Sequence, residues 1–492
     1  MEAGPGHAGR GLGYPHHVAD QHLEREIKFD VPPDYAVPDM AGARRRTFHL
    51  RATYYDTDDA LLQGHGLSLR RRVGGTDDAW HLKIPRSGGK LELHADVASS
   101  RPPRQFAALT RGLRYDQALH RTAVIRTERE LQQLFDAEGE LVAEVADDRV
   151  STTIVATDEV VCWREIEVEL GAAGDAETIE RVVRKLETTG AVPSTEPSKY
   201  AHAVGQPQSA PVTGLGGLVG DYLLIQLDRL AWEDFRLRQG ENRVHKARVA
   251  VRRIRSTLRT CAELFEETRR AELDDHLTWY ADVLGAVRDL DVCRHHLDED
   301  LLTEPSTGSG GLIDTSATDR LLGELDSRRE AAWQQIERVL AGRRYGALLA
   351  TLGEWRRGVP WTDPALGDAD EVETYLRRAR KKADHRRKRA ENADRDRADE
   401  AFHRARKAAK RTRYTAELAT PHLGKGAKKI AKTYEKRQDD LGVVQDHRMV
   451  IAMLRTVAGS RAVRPEVAFL CGLLAQRHLE DKRRELTGLS SG

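Results

Sequence analysis

The sequence predicts an α+β, multidomain chain in which an antiparallel sheet precedes an all-α region made of two duplicated halves. Three observations lead there. Before residue 204 the chain runs in short segments alternating with period two between Gly-rich turns. After residue 217 it runs in long segments at helical period, with few β-branched runs. Inside that second part, two segments recur in the same order.

Length and charge set the frame. A chain of 492 residues exceeds one ordinary core. Basic and acidic residues number 79 and 78, giving a net charge of +1 that excludes a simple polycation coating nucleic acid. Local segregation of charge is therefore the informative quantity. Cys162, Cys261, Cys293 and Cys471 lack any CxxC spacing, which predicts reduced structural thiols. No apolar run reaches the ~20 residues of a membrane span. The Gly- and His-rich segment 1–21 has no hydrophobic centre, so it reads as a disordered tail rather than a secretory signal. A cytoplasmic protein without membrane partners is expected. "VGQPQSAPVTGLGG", residues 204–217, reads as a linker, and residues 303–316 read as a flexible loop within the helical part.

The first element of the sheet region is "LEREIKFD". On a strand, Glu24, Glu26 and Lys28 face one side and Ile27 and Phe29 the other. Later strands repeat the theme. Arg70 and Arg72 share a face in "LSLRRRV", Lys83 opposes Leu82 and Ile84 in "WHLKIP", and Lys90 and Glu92 share a face in "KLEL". Arg126 stands in "IRTERE", Glu144 and Asp148 share a face in "LVAEVADDRV", and Glu165, Glu167 and Glu169 oppose Ile166, Val168 and Leu170 in "WREIEVEL". So many charged faces in succession predict a closed or strongly curved sheet with a charged lumen. Such burial requires compensation by opposite charge, metal or ligand. Basic residues suit phosphate oxygens, and clustered carboxylates suit Mg²⁺ or Mn²⁺.

The helical region opens its repeat with "VHKARVAVRRIRSTLR". His245, Arg248, Arg252, Arg255 and Arg259 lie along one helical face beside an apolar stripe of Val244, Ala247, Val251, Ile254 and Leu258. "FHRARKAAKRTRYTAE" aligns with it without a gap, pairing His245 with His403, Arg248 with Arg406, Arg252 with Lys410, Arg253 with Arg411 and Arg255 with Arg413; Lys407 lies in the same stretch. "LGAVRDLDV" and "LGVVQDHRM" follow at nearly the same distance, and their Asp289 and Asp446 are expected to orient arginines. Two basic rows facing each other repel unless an anion lies between them. Aromatics are only 5% of the chain and none interrupts the first row, unlike the stacking platforms of RNA readers. No specific nucleic-acid partner is expected. His245 and His403 are open to three roles: metal ligand, base, or polar core residue contacting phosphate. The basic run from Leu376, "LRRARKKADHRRKRA", reads either as a solvated helix or as more polyanion surface.

The motifs "EREIKF", "YYDT", "LSLRRR", "WHLKIP", "EVADD", "WREIEVEL" and "SKYA", in this order over residues 22–203, resemble the CYTH group, whose members share the triphosphate tunnel fold. The resemblance implies an eight-stranded antiparallel tunnel and metal-dependent hydrolysis of a terminal phosphoryl group. It implies Glu24, Glu26 and Lys28 as catalytic residues, with Glu24, Glu26, Glu165, Glu167 and Glu169 on the metal side. Arg70, Arg72, Lys83, Lys90, Arg126 and Lys199 would hold phosphates, with Glu92, Glu144 and Asp148 as further tunnel acids. One position departs from the pattern: two residues after Arg126 stands Glu128 instead of a base. Unless a bulge turns Arg129 inward, the lumen would lose a cation and gain an acid.

Residues 218–487, with the paired histidine helices and "LGxxxD" segments, resemble the CHAD domain. This implies two four-helix halves around a basic groove that binds inorganic polyphosphate through His245, Arg248, Arg252, Arg253, Arg255, Arg259, His403, Arg406, Lys407, Lys410, Arg411 and Arg413. The resulting expectation is an inorganic triphosphatase that binds polyphosphate, in the cytoplasm and at polyphosphate granules. Its competitors are a non-catalytic polyphosphate-binding protein, and an organic-triphosphate enzyme such as a thiamine triphosphatase or an adenylate cyclase.

Overall fold

The structure is a computed structural model and describes residues 22–24, 26–75, 78–87, 89–96, 99–205, 213–303 and 315–491. The predicted tail, residues 1–21, and most of the predicted loop at 303–316 lie outside these. The chain divides into two compact units between Ser209 and Ala210, each described by itself.

The first unit is one antiparallel sheet. Its strands are β1 (His22–Glu24), β2 (Glu26–Asp30), β3 (Arg44–Asp56), β4 (Ser68–Val73), β5 (Ala79–Arg86), β6 (Gly89–Asp96), β7 (His120–Phe135), β8 (Leu141–Ile154), β9 (Val160–Leu170) and β10 (Val192–Pro193). Short helices α1 (Leu61–Gly64), α2 (Arg104–Leu109), α3 (Ala176–Thr188) and α4 (Lys199–Val204) accompany them. The strand order is β1-β6-β5-β4-β3-β7-β8-β9-β2-β10. β1 and β2 are consecutive in sequence, yet β1 pairs with β6 while β2 pairs with β9. The segment bearing Glu24, Glu26 and Lys28 is therefore the seam that closes the sheet into a barrel and removes its open edges.

Closure gives every strand an inside and an outside. Outside, Phe29, Val145, Ile166 and Val168 form a core with Val182 and Leu186 of α3. Asp175 caps that helix by accepting from the Thr178 amide at 2.8 Å. Inside, α4 brings Tyr200 flat against Tyr54, with centroids 5.0 Å apart.

The second unit is helical: α5 (Gly214–Arg238), α6 (Val244–Thr260), α7 (Glu267–Thr303), α8 (Thr315–Ala341), α9 (Arg343–Arg357), α10 (Val372–Glu391), α11 (Arg395–Leu423), α12 (Lys425–Ala458) and α13 (Pro465–Ser491). α5–α8 and α10–α13 form two four-helix halves joined through α9, and α6 meets α11, α7 meets α12 and α8 meets α13. Val244, Ala247, Val251, Ile254 and Leu258 are all buried, so the apolar stripe of α6 is its packing face. The predicted linker ends earlier than expected, because residues 214–217 start α5. Their glycines serve close packing: a Cβ on Gly216 would lie 2.9 Å from the Ala365 carbonyl oxygen.

Phe29 is fully buried under α3. Phe29→Ala is expected to lower unfolding stability by about 3–5 kcal/mol, read as a fall in the urea midpoint of the barrel unit.

Candidate functional site

The barrel encloses a cavity of about 330 Å³. Its basic lining consists of Lys28, Arg46, Arg70, Arg72, Lys83, Lys90, Arg129 and Lys199. Glu26, Glu92, Glu144, Glu167 and Glu169 supply the acids, and Phe48, Leu50 and Ala52 form an apolar wall on β3. Pairing of β2 with β9 sets Glu26 opposite Glu169 and Lys28 opposite Glu167.

One knot of charge dominates. The Lys199 ammonium lies 2.8 Å from Asp148, 2.7 Å from Glu165 and 2.6 Å from Glu167. Arg129 reaches Asp148 and Glu167, each at 2.6 Å, and Lys28 also pairs with Glu167. Burial alone would neutralise these groups, but the opposite charges prevail. Glu167 is held well below the usual carboxylate range by Lys199, Lys28 and Arg129, and Lys199 is raised well above the usual lysine range by Asp148, Glu167 and Glu165. Burial likewise opposes ionisation of Glu26, yet Lys28, with Lys83 and Lys90, holds it at about 2. Lys90 donates to Glu26 at 2.6 Å.

A second knot surrounds Glu92. His81 Nδ1 lies 3.0 Å away, Arg70 3.5 Å, His94 Nε2 3.5 Å and Lys83 3.9 Å. Burial, with Arg70 and Arg72 nearby, pushes His81 down to about 4 despite its bond to Glu92. His81, Glu92 and His94 converge closely enough to ligate an ion, as do Asp148, Glu165 and Glu167. The first group is flanked by cations and the second already holds Lys199. Glu26 and Glu169, facing each other on β2 and β9, add further carboxylate oxygens beside Glu167 along the cavity wall. Such an all-carboxylate set fits a hard cation.

Most of the predicted lumen residues lie where expected: Glu26, Lys28, Arg70, Arg72, Lys83, Lys90, Glu92, Glu144, Glu167, Glu169 and Lys199 line the cavity, with Asp148 and Glu165 buried behind Lys199. The side chain of Glu24 lies outside the described residues. Arg126 is a correction. It is exposed, and β7 turns Ile125, Thr127, Arg129, Leu131 and Gln133 inward instead. Glu128 points outward with Arg126, and β7 pairs with β8 without a bulge between Ala123 and Leu134. The reason is compensation: this phase sets Arg129 directly opposite Asp148 and places Ile125 and Leu131 inside. Arg46, His81 and His94 were missed. His81 and His94 stand two residues from Lys83 and Glu92, so strand parity alone would have found them.

In the helical unit α6 and α11 bring Arg248, Arg252, Arg406 and Lys410 together. The "LGxxxD" segments shape this cluster. A Cβ on Gly285 would lie 3.1 Å from the Arg248 guanidinium, and one on Gly442 3.3 Å from that of Arg406, so each glycine gives an arginine room to lie flat. Asp289 lies 3.6 Å from Arg248. No ion pair joins Arg252 or Lys410 to a carboxylate among the described residues, and Arg252 Nε is buried without a hydrogen-bond partner. Burial, then Arg406, Arg252 and Arg248, push Lys410 down to about 7. The rest of the predicted row is partly committed elsewhere. Arg255 and Arg259 pair with Asp274 at 2.9 and 2.7 Å, Arg253 and Arg413 with Glu417 at 2.8 and 3.0 Å, and Arg413 with Glu435 at 2.6 Å. Arg411 is half-buried near Arg259, and Lys407 lies near His403. His403 Nδ1 lies 2.7 Å from Gln445 Oε1, and burial beside Arg288, Arg252 and Arg248 lowers His245. The basic run on α10 lines a shallow surface pocket with Arg377, Arg380, Lys381 and Lys388. The four cysteines are free, and no helix among the described residues is long and apolar enough to cross a membrane.

Residues 22–203 match the CYTH domain and residues 221–455 the CHAD domain. The uncharacterized protein Rv2226 of Mycobacterium tuberculosis is 30% identical over 368 residues, which cover 68% of this chain and 69% of that protein. Among solved structures, the CHAD domain of Ricinus communis is 22% identical, with a TM-score of 0.46, covering 57% of this chain and 92% of its own. HpAC1 of Hippeastrum, proposed to be an adenylyl cyclase and described as having a dominant triphosphatase activity, is 16% identical, with a TM-score of 0.23, covering 37% of this chain and 97% of its own.

Because Glu26 titrates at about 2 in the fold against 4.5 ordinarily, its ionised form stabilises the protein above pH 4.5. That contribution is lost as pH falls through 2. The stability difference between wild type and Glu26→Gln is expected to shrink by roughly 3 kcal/mol between pH 5 and 2, measured by urea unfolding.

Proposed function

The chain belongs to the proteins in which a CYTH domain precedes a CHAD domain, and on that premise we propose that it hydrolyses inorganic triphosphate in its barrel and binds inorganic polyphosphate on its helical unit. CYTH domains include triphosphatases and adenylate cyclase-like enzymes, and CHAD domains are associated with polyphosphate. The observation that carries the hydrolase reading is the ring of Lys28, Arg70, Arg72, Lys83, Lys90 and Arg129 around one small cavity, facing Glu26, Glu167 and Glu169.

The reaction breaks the terminal P–O–P anhydride. Water adds its oxygen to the end phosphorus and diphosphate leaves. Lysines and arginines held firmly protonated take up the phosphate oxygens in place of part of their internal ion pairs, fixing the chain in line for attack. Glu26, Glu167 and Glu169 would hold Mg²⁺ or Mn²⁺, which would supply charge neutralisation and a more acidic water. The carboxylates themselves are weak bases, since Glu26 and Glu167 are held far below neutrality. The contribution of the chain is thus positioning and charge. With Glu128 outside and Arg129 inside, the barrel keeps its cation, which supports turnover over binding alone. Tyr54 is stacked on Tyr200 and almost fully buried, which leaves little of its ring for a nucleobase. The wall of Phe48, Leu50 and Ala52 favours the second reading, an organic triphosphate whose ring lies there.

Phosphate release from tripolyphosphate with Mg²⁺ or Mn²⁺ is expected to fall roughly 100-fold in Glu26→Gln and in Lys28→Ala. Glu24→Ala tests the remaining acid of the seam, on β1. Equal release by wild type and all three variants would refute the assignment, and faster turnover of ATP or thiamine triphosphate, lost in Phe48→Ala, would select the organic reading.

On the helical unit, Arg252→Ala or Lys410→Ala is expected to weaken long-chain polyphosphate binding by about 10- to 100-fold. A bound polyanion restores the proton on Lys410. Affinity therefore falls as pH rises from 6 to 8, and Lys410→Ala flattens that dependence in a fluorescence titration.

A further inference from the structure

The duplicated halves of the helical unit differ sharply in charge on two of their helices. Over residues 376–390, α10 carries nine basic residues and one acid, while the whole of its counterpart α5 carries three and four. Residues 425–437 of α12 hold six basic residues and one acid, and the matching residues 268–280 of α7 hold two and three. One half builds its four helices without this charge, so the fold does not require it. The charge even opposes the helices that carry it: Lys428 and Lys432, Lys432 and Lys436, and Arg377 and Lys381 are like charges one turn apart.

The two basic stretches lie side by side. Asp384 of α10 accepts from the Tyr434 hydroxyl at 2.9 Å and from Arg437 at 3.0 Å, and Ala383 packs with Tyr434 and Ile430 of α12. Arg380, Lys381 and Lys388 stand within about one turn of Asp384, and Lys432 and Lys436 within one turn of Tyr434. These cations, with Arg377 and Lys429, are exposed. No ion pair ties any of them to a carboxylate among the described residues. The acids of the two stretches are already taken, Asp384 by Arg437 and Glu435 by Arg413. Leu376, Ala379, Ala383, Ala427 and Tyr434 are buried, and neither stretch exposes a large apolar side chain.

We propose that this face of α10 and α12 binds double-stranded nucleic acid through its phosphates, without reading the bases. From Arg377 to Lys388 the cations extend over about 16 Å of helix, a length along which a duplex carries on the order of ten phosphates. Two neighbouring helices spread the charge over a broad face, which suits the two phosphate strands that border a groove. A single polyphosphate chain is matched instead by one half-buried row, such as that of Arg252 and Lys410. Tyr375 and Tyr434 are buried, which leaves the bases of a single strand without a phenol or indole to stack on. With no large apolar side chain exposed, the face has nothing to insert into a lipid surface. Release of counterions from the duplex drives the association, and the like-charge repulsion along both helices is relieved by the phosphates.

The test is fluorescence anisotropy of short labelled DNA duplexes titrated with the full-length chain over a range of salt concentrations. Wild type is expected to bind two duplexes of unrelated sequence equally, with a Kd of roughly 1–100 μM and log K falling linearly with log salt. Arg377→Gln, Arg380→Gln, Lys381→Gln and Lys388→Gln together should weaken binding roughly 100-fold and reduce the salt slope by about 3. Lys432→Gln with Lys436→Gln, on the other helix, should weaken it roughly 10-fold, which covers the case in which the α10 variant loses its helical circular dichroism. A single strand of the same length should bind more weakly than the duplex. No duplex binding by wild type at low salt, an unchanged Kd in the folded variants, or tighter binding of the single strand would overturn the proposal. Long-chain polyphosphate and vesicles containing phosphatidylserine are titrated in parallel. If either is bound through the α10 cations while the duplex is not, the face belongs to that anion and the proposal falls.

Discussion

A buried charge must be matched, and in the barrel the match is made chiefly by Lys199. Its ammonium bridges three carboxylates from β8 and β9, and together with Arg129 and Lys28 it balances their charge so that they stay ionised inside a small cavity. Remove that cation and Asp148, Glu165 and Glu167 would face one another across a low-dielectric space, a situation resolved only by protonation or unfolding. The compensation also explains why the barrel can be both stable and receptive. Its cations are already arranged for anionic oxygens, so an entering anion would exchange one set of oxygens for another without a large rearrangement of the protein.

The helical unit solves the opposite problem. Around Arg248, Arg252, Arg406 and Lys410 the compensation is incomplete, and the depressed Lys410 records the strain. Farther along the same helices, Asp274 and Glu417 neutralise Arg255, Arg259, Arg253 and Arg413. A row uniformly basic in sequence is thus divided in space into a tied part and an open part.

That division shows what sequence can and cannot carry. Strand parity placed most lumen residues, because each of those strands has an apolar face that must go outward. It failed on β7, where both faces carry charges, and the phase was decided by Asp148 on the neighbouring strand, information absent from β7 itself. The duplication made the two helical halves legible, and the apolar stripe of α6 fixed its packing face. Which arginines are free depended on acids of α7, α11 and α12, whose placement only the fold determines.

The seam has a consequence for how the protein is made. The segment carrying Glu26 and Lys28 leaves the ribosome early but must wait for β6 on one side and β9 on the other. Until β9 has been synthesised, the ring has exposed edges and its seam strand lacks a partner. Closure is a late, long-range event, so the barrel should be most vulnerable to edge-to-edge association during translation, and a nascent chain gathers its lumen charges only when the ring is complete.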